Sequence, residues 1–168
     1  MITKLKNPLI PSPHYQEFKE YVLDVEFPWY KNPATSSGPG FFGHVLIRRP
    51  EESWGRFPQD VSNYSRKIVD LFQTIMDHNN IEIKSILRLN LNLVCPAPFG
   101  KQTTPPHTDH EFPHYNFLLY LTDAGGKLVV GKESFDPKED DVVIFEGETH
   151  YIHLPKKDLR VALVATYI

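Results

Sequence analysis

The chain has 168 residues, 40% of them apolar and 12% aromatic, with a formal net charge of −3 and a pI near 6.2. Such a composition describes one globular domain, residues 1–168, with room for a substantial core, and it excludes a disordered or low-complexity chain. The near-neutral balance offers no basic footprint for nucleic acid, and the single cysteine, Cys95, excludes an internal disulfide framework. Cys95 has no thiol partner or motif around it and reads as a small buried residue. The first residues, Met1-Ile2-Thr3-Lys4-Leu5-Lys6, hold no apolar signal core, and no apolar run approaches the roughly 20 residues of a membrane span. A soluble, cytoplasmic protein is the expectation.

Ser12-Pro13 can open a helix, with the serine as cap and proline at the first helical position. Tyr15, Phe18, Val22 and Val25 then recur at helical spacing, which predicts a short amphipathic helix to about Leu23. The cluster Phe27-Pro28-Trp29-Tyr30 ends this helix, as a packed loop or a wall facing a substrate. Residues 34–40 are small and glycine-rich, hence a loop, and 41–47 read as a strand. From Asp60, a plausible cap, Val61, Tyr64, Ile68, Leu71, Phe72, Ile75 and Met76 trace a helical stripe to about Asn79.

After Asn80 the period changes to two. Leu87, Leu89, Leu91 and Leu93 alternate with Arg88, Asn90 and Asn92, giving one apolar and one polar face. The polar face suits either the inside of a ligand-holding barrel or a solvated surface. Further short strands are expected near 105–109, 115–122, 127–131, 133–136, 141–146, 149–154 and 159–167. With turns at Gly125-Gly126, Asp136-Pro137 and 155–158, they predict a mainly β protein with flanking helices. Its architecture is a double-stranded β-helix, the cupin-like jelly roll, over 85–168 with a helical flank over 1–84.

Chemistry gathers at Pro105-Pro106-His107-Thr108-Asp109-His110. On an extended strand His107 and Asp109 point to the same side, so an imidazole and a carboxylate converge. A third ligand can come from His150 or His153. Two histidines and one carboxylate on one side of a cation, with the other side open, is the facial arrangement of non-haem Fe(II) oxygenases, although Zn²⁺ also accepts such a set. His110 and His114 flank the pair in loop or supporting roles.

The order His107-x-Asp109, Tyr120-Leu121, Gly125-Gly126-x-Leu128, the run 141–145 ending before Gly147, then His150 and Arg160 resembles the small 2-oxoglutarate/Fe(II)-dependent oxygenases. The similarity is to the prolyl-4-hydroxylase-like type, in the compact form met in phages. The resemblance implies Fe(II) on His107, Asp109 and His150, with 2-oxoglutarate as cosubstrate and O₂ as oxidant. Arg160 would hold the far carboxylate of 2-oxoglutarate, assisted by Tyr120, with Asn92 and Asn90 as further candidates on the polar face. His150 is preferred over His153, since a hairpin turning at 155–158 would set His153 opposite Arg160 and leave no room for the cosubstrate. The family pattern Arg-x-Ser is broken here, because Ala162 cannot donate a second hydrogen bond. The implied activity is a dioxygenase that couples oxidative decarboxylation of 2-oxoglutarate to C–H hydroxylation of a small-molecule or peptidyl substrate. The alternatives are a cupin-type metal protein without 2-oxoglutarate, and a jelly-roll binding or structural module in which the histidines are incidental.

Overall fold

The period-two stretch becomes the centre of the molecule. In the computed structural model, which describes residues 1–31, 41–97, 99 and 102–168, eleven strands and two helices are laid out in chain order. The strands are β1 (Thr3–Leu5), β2 (Tyr30–Lys31), β3 (Phe41–Arg48), β4 (Gln59–Asp60), β5 (Ile86–Val94) and β6 (Tyr115–Tyr120). They continue as β7 (Leu128–Val130), β8 (Glu133–Phe135), β9 (Val142–Glu146), β10 (His150–Ile152) and β11 (Arg160–Tyr167), while the helices are α1 (Pro13–Leu23) and α2 (Ser65–His78). One large sheet runs β1-β9-β6-β11-β5-β3-β2, with β4 beside β3, and a small sheet runs β10-β7-β8.

Strand parity divides the large sheet into two faces. Leu89, Leu91, Phe117, Leu119, Val161, Leu163 and Ala165 pack with Ile68, Phe72, Ile75 and Met76 of α2 and Tyr15 and Val22 of α1. Phe72 meets Phe117 edge-on, with ring centroids 4.8 Å apart at 87°. Burying each such side chain contributes about 1.5–3 kcal/mol, so this layer is where the sheet gains its stability. The opposite face carries Leu118, Tyr120, Val143, Phe145 and Ala162, which pack against Leu128 and Val130 of the small sheet. Two sheets closing on a shared interior form the expected jelly roll.

That interior also receives the polar row of β5. Register sets Asn92, Ala162 and Tyr120 side by side across three strands, and sets Arg88, Thr166 and Asn116 side by side four residues further along the same face. The polar face is therefore the enclosed one, not a solvated surface. The flank contributes more than helices, since β3 pairs with β5 over most of its length.

Several expectations need correction. Ser12 caps α1 through its backbone carbonyl, which accepts from the Tyr15 and Gln16 amides, while its hydroxyl makes no capping bond. Asp60 does not start the second helix. Gln59 and Asp60 pair with β3 and the Val61 amide donates to Leu46 O, so the open edge of β3 claims these residues first. The helix starts at Ser65, whose hydroxyl donates to Leu46 O and Ser62 O.

Residues 105–109 are not a strand. Pro105 and Pro106 have no amide to donate, and the segment's isolated bridge to β10 is that of His107 to His150. β10 and β11 form no hairpin either, since β10 pairs with β7 and β11 with β5 and β6. Phe27 is core, in edge-on or tilted contact with Tyr21, Trp29, His44 and Tyr64, so the start of the aromatic cluster is packed, while Tyr30 is exposed in β2. The glycine-rich loop expected over 34–40 lies outside the described residues. Cys95 is a free, half-buried thiol whose pKa burial pushes up. Among the described residues, no helix is long and apolar enough to cross a membrane.

Candidate metal centre

At the mouth of the interior, one ligand atom from each of His107, Asp109 and His150 comes within 4.8 Å of the others. The main chain fixes the two histidines relative to each other. The His107 amide donates to His150 O at 3.0 Å and the His150 amide donates to His107 O at 2.9 Å. Their rings lie 4.5 Å apart, centroid to centroid. The preference for His150 is thus matched by the geometry, although the hairpin argued for it does not exist. His153 is exposed, and its amide donates to Lys127 O.

Each ring is also held in one tautomer. His107 Nδ1 lies 3.0 Å from Pro105 O, and His150 Nδ1 lies 3.0 Å from Glu148 O. A carbonyl can only accept, so both Nδ1 atoms carry the proton and both Nε2 lone pairs are free for a cation. Burial lowers the pKa of His150 despite the nearby Asp109 charge, which keeps this imidazole neutral as a ligand must be.

Asp109 is 8% exposed. Burial alone would raise its pKa, yet Arg88, then His150, His107 and Arg49, lower it to about 2. Its Oδ2 lies 3.6 Å from His150 Nε2. Adjacent ligands at about 2.1 Å from one ion and at right angles stand roughly 3 Å apart, so little movement would bring both onto a cation. The donor set, its tautomers and its ionisation all fit a divalent transition metal.

Arg160 opens β11 on the same face of the large sheet as Tyr120. It is 5% exposed, its Nη2 donates to the Tyr120 hydroxyl at 3.3 Å, and its Cζ lies 5.0 Å from the Tyr120 ring centroid. Neither Glu146 nor Asp158 pairs with it. Among the described residues no carboxylate does, and its Nε is buried without a partner. Gly126, at φ 87°, permits the backbone to pass here: a Cβ would lie 2.7 Å from His153 O and 3.3 Å from Arg160 Cδ.

The asparagines differ from each other. With its amide turned so that oxygen faces Arg88, Asn90 accepts from Arg88 Nε at 3.0 Å, and so braces an arginine. Asn92 stays beside Tyr120's row, half-buried.

His110 and His114 stay out of the ligand set. His110 places Nδ1 2.7 Å from Glu51 Oε1 and Nε2 2.8 Å from Thr166 Oγ1, tying the 50–56 loop to β11. His114 packs its ring onto Gly147, where any Cβ would collide.

Sequence reasoning left two residues without a role. Arg88 forms a short ion pair with Asp109 Oδ1, and Arg49 donates to Asp109 O at 3.2 Å. Position on the polar face was the only available signal for Arg88, and Arg49 had none. A cavity of about 590 Å³ opens beside Asp109, lined by Arg49, Glu51, Arg56, His110 and Phe112.

No protein-family profile and no curated protein matches the sequence. Solved structures do match in shape. An oxidoreductase of the 2OG-Fe(II) oxygenase family from Burkholderia pseudomallei is 17% identical over 99% of this chain and 84% of its own, with a TM-score of 0.75. The epimerase SnoN from nogalamycin biosynthesis, described as non-haem and alpha-ketoglutarate-dependent, is 10% identical over 99% and 77%, with a TM-score of 0.64. A prolyl hydroxylase from Trichoplax adhaerens, solved with a hypoxia-inducible-factor peptide, is 14% identical over 99% and 83%, with a TM-score of 0.63. The chain is a jelly roll with a His-Asp-His cluster at its mouth. More particularly, its fold is that of the 2-oxoglutarate/Fe(II) oxygenases, prolyl hydroxylases among them.

Proposed function

We propose that this chain is an Fe(II)- and 2-oxoglutarate-dependent dioxygenase that hydroxylates a C–H bond of a small-molecule or peptidyl substrate. Arg160 carries the reading. A buried guanidinium with no acid beside it is costly unless a ligand supplies the charge, and its planar fork suits a carboxylate. A cupin-type metal protein without 2-oxoglutarate, or a jelly-roll module whose histidines are incidental, leaves this group unexplained unless it too binds an anion.

When bound, iron and 2-oxoglutarate would supply the oxidising chemistry. The residues do the rest. His107, Asp109 and His150 would hold the metal from one side and leave adjacent positions open. Arg160 and the Tyr120 hydroxyl would orient the far carboxylate of 2-oxoglutarate, and Leu128, Val130 and Phe145 pack with Tyr120 in one buried apolar cluster. Burial raises the Tyr120 pKa, so its hydroxyl keeps its proton and can donate. With Ala162 in place of a second donor, this pair would carry the carboxylate with Asn92 beside it.

The test is O₂-dependent succinate formation from 2-oxoglutarate and Fe(II), scanned over candidate substrates. It is preceded by the visible charge-transfer band of the anaerobic Fe(II)–2-oxoglutarate complex. Absence of both band and 2-oxoglutarate affinity would refute the proposal in favour of a metal protein without the cosubstrate.

A further inference from the structure

The two oxygens of Asp109 face opposite ways. Oδ2 is turned toward His150, while Oδ1 is taken by the Arg88 guanidinium. A carboxylate can bind a cation through one oxygen or through both, and nothing in its own chemistry decides which. Here the decision comes from the sheet. Arg88 lies on β5, hydrogen-bonded on both sides to β3 and β11, and its side chain is 11% exposed. Its Nε is braced by the Asn90 amide oxygen, and Thr166 is its cross-strand neighbour. Arg49 secures the main chain of the same residue through Asp109 O, so the carboxylate cannot easily swing away from Arg88.

We infer that Arg88 is a positioning residue that keeps Asp109 a one-oxygen ligand. The inference rests on the metal-centre reading above and goes beyond it. A carboxylate spread over two positions would leave two open positions on a six-coordinate ion, whereas held by one oxygen it leaves three. Two are needed for a chelating 2-oxo acid and one for a further ligand, so the ion pair on β5 sets whether the centre has room for both. Arg88 touches neither substrate nor metal, and acts through Asp109 alone.

Mn(II) is a suitable probe, because the water molecules bound to it are counted by water-proton relaxation without any turnover. In wild type with 2-oxoglutarate, a single exchangeable water is expected to remain on Mn(II). In Arg88→Met the expected count is none, and without 2-oxoglutarate the relaxation enhancement should fall by about a third. Arg88→Lys keeps a charged donor near Oδ1 and should retain the wild-type count. A crystal structure of the Mn(II)-loaded wild-type protein reads the same point directly, and does so even if Arg88→Met fails to fold. One Asp109 oxygen on the ion and the other on Arg88 supports the inference. Both oxygens on the ion, or equal water counts in wild type and Arg88→Met, overturns it while leaving the oxygenase reading intact. Failure of wild type to bind one Mn(II) overturns both.

Discussion

Among the described residues, Lys19 and Arg160 are buried cations under opposite circumstances. The Lys19 side chain on α1 is 8% exposed and meets two carboxylates, Glu139 and Asp140, the second at 2.9 Å. Tyr15 donates to the same Asp140 oxygen at 2.7 Å, and Asn7 donates to Asp140 O. Arg160 is just as deeply placed, yet among the described residues it meets only the Tyr120 hydroxyl and ring. A cation enclosed with its counter-charges holds elements together. A cation enclosed without them costs stability and is kept for what it will bind. The contrast separates structure from function more cleanly than burial does.

The strongest way to break the comparison is Arg160→Ala. Losing a buried charged contact typically costs about 2–5 kcal/mol, so 2-oxoglutarate binding should weaken roughly 30-fold or more, at 1.4 kcal/mol per tenfold. Metal affinity should stay near wild type, and titration of both ligands checks this. Equal 2-oxoglutarate affinity would move the carboxylate site elsewhere.

Lys19→Met tests the other member. It should lower the unfolding free energy by about 2–3 kcal/mol in denaturant melts. That is less than the 3–5 for a fully buried pair, because the Glu139 side chain is 47% exposed. The pKa of Lys19 is raised above 10.5: burial lowers it, but the bonds to Asp140 and Glu139 outweigh this. A folded-state value above the unfolded one gives stability that is complete below pH 10.5 and lost as pH rises through the raised value. The deficit of Lys19→Met should therefore be flat at neutral pH and shrink in alkali.

Arg160→Met should do the reverse of Lys19→Met. In ligand-free protein it removes an uncompensated charge, so stability should be unchanged or rise by about 1 kcal/mol. A clear loss would mean that Arg160 has a structural role as well. Smallest of all is Tyr120→Phe. It deletes one hydroxyl worth about 0.5–1.5 kcal/mol, so 2-oxoglutarate affinity should fall between about two- and tenfold.

How far the sequence could be read follows the same division. Alternation alone exposed the polar row of β5, whereas His107 and Asp109 come together without the strand on which their same-side placement was argued. Lys19 offered nothing, since its partners lie 120 and 121 residues away and only the packing of α1 on the β8–β9 turn brings them together. Asp60 was misassigned because a composition-based cap competes with an unpaired β3 edge, and the edge is not visible in a local window. The pairing of Arg88 with Asp109 depends on strand order, which no spacing encodes. Even His150 was chosen through a hairpin that is absent. His150 does lie beside His107 and Asp109, but through its backbone bridge to His107 and not through a hairpin.

That bridge has a consequence for which metal arrives. Two imidazoles whose main chains are joined by reciprocal hydrogen bonds are placed side by side in advance, so little ordering would remain to be done were they to bind the proposed ion. A preformed nitrogen pair ranks first-row divalent ions by the Irving–Williams order, and Ni²⁺ and Cu²⁺ stand above Fe²⁺ in it. The ladder thus sets geometry without setting identity. If the site takes iron as proposed, iron would hold it by being supplied, and the same two histidines would leave it open to copper.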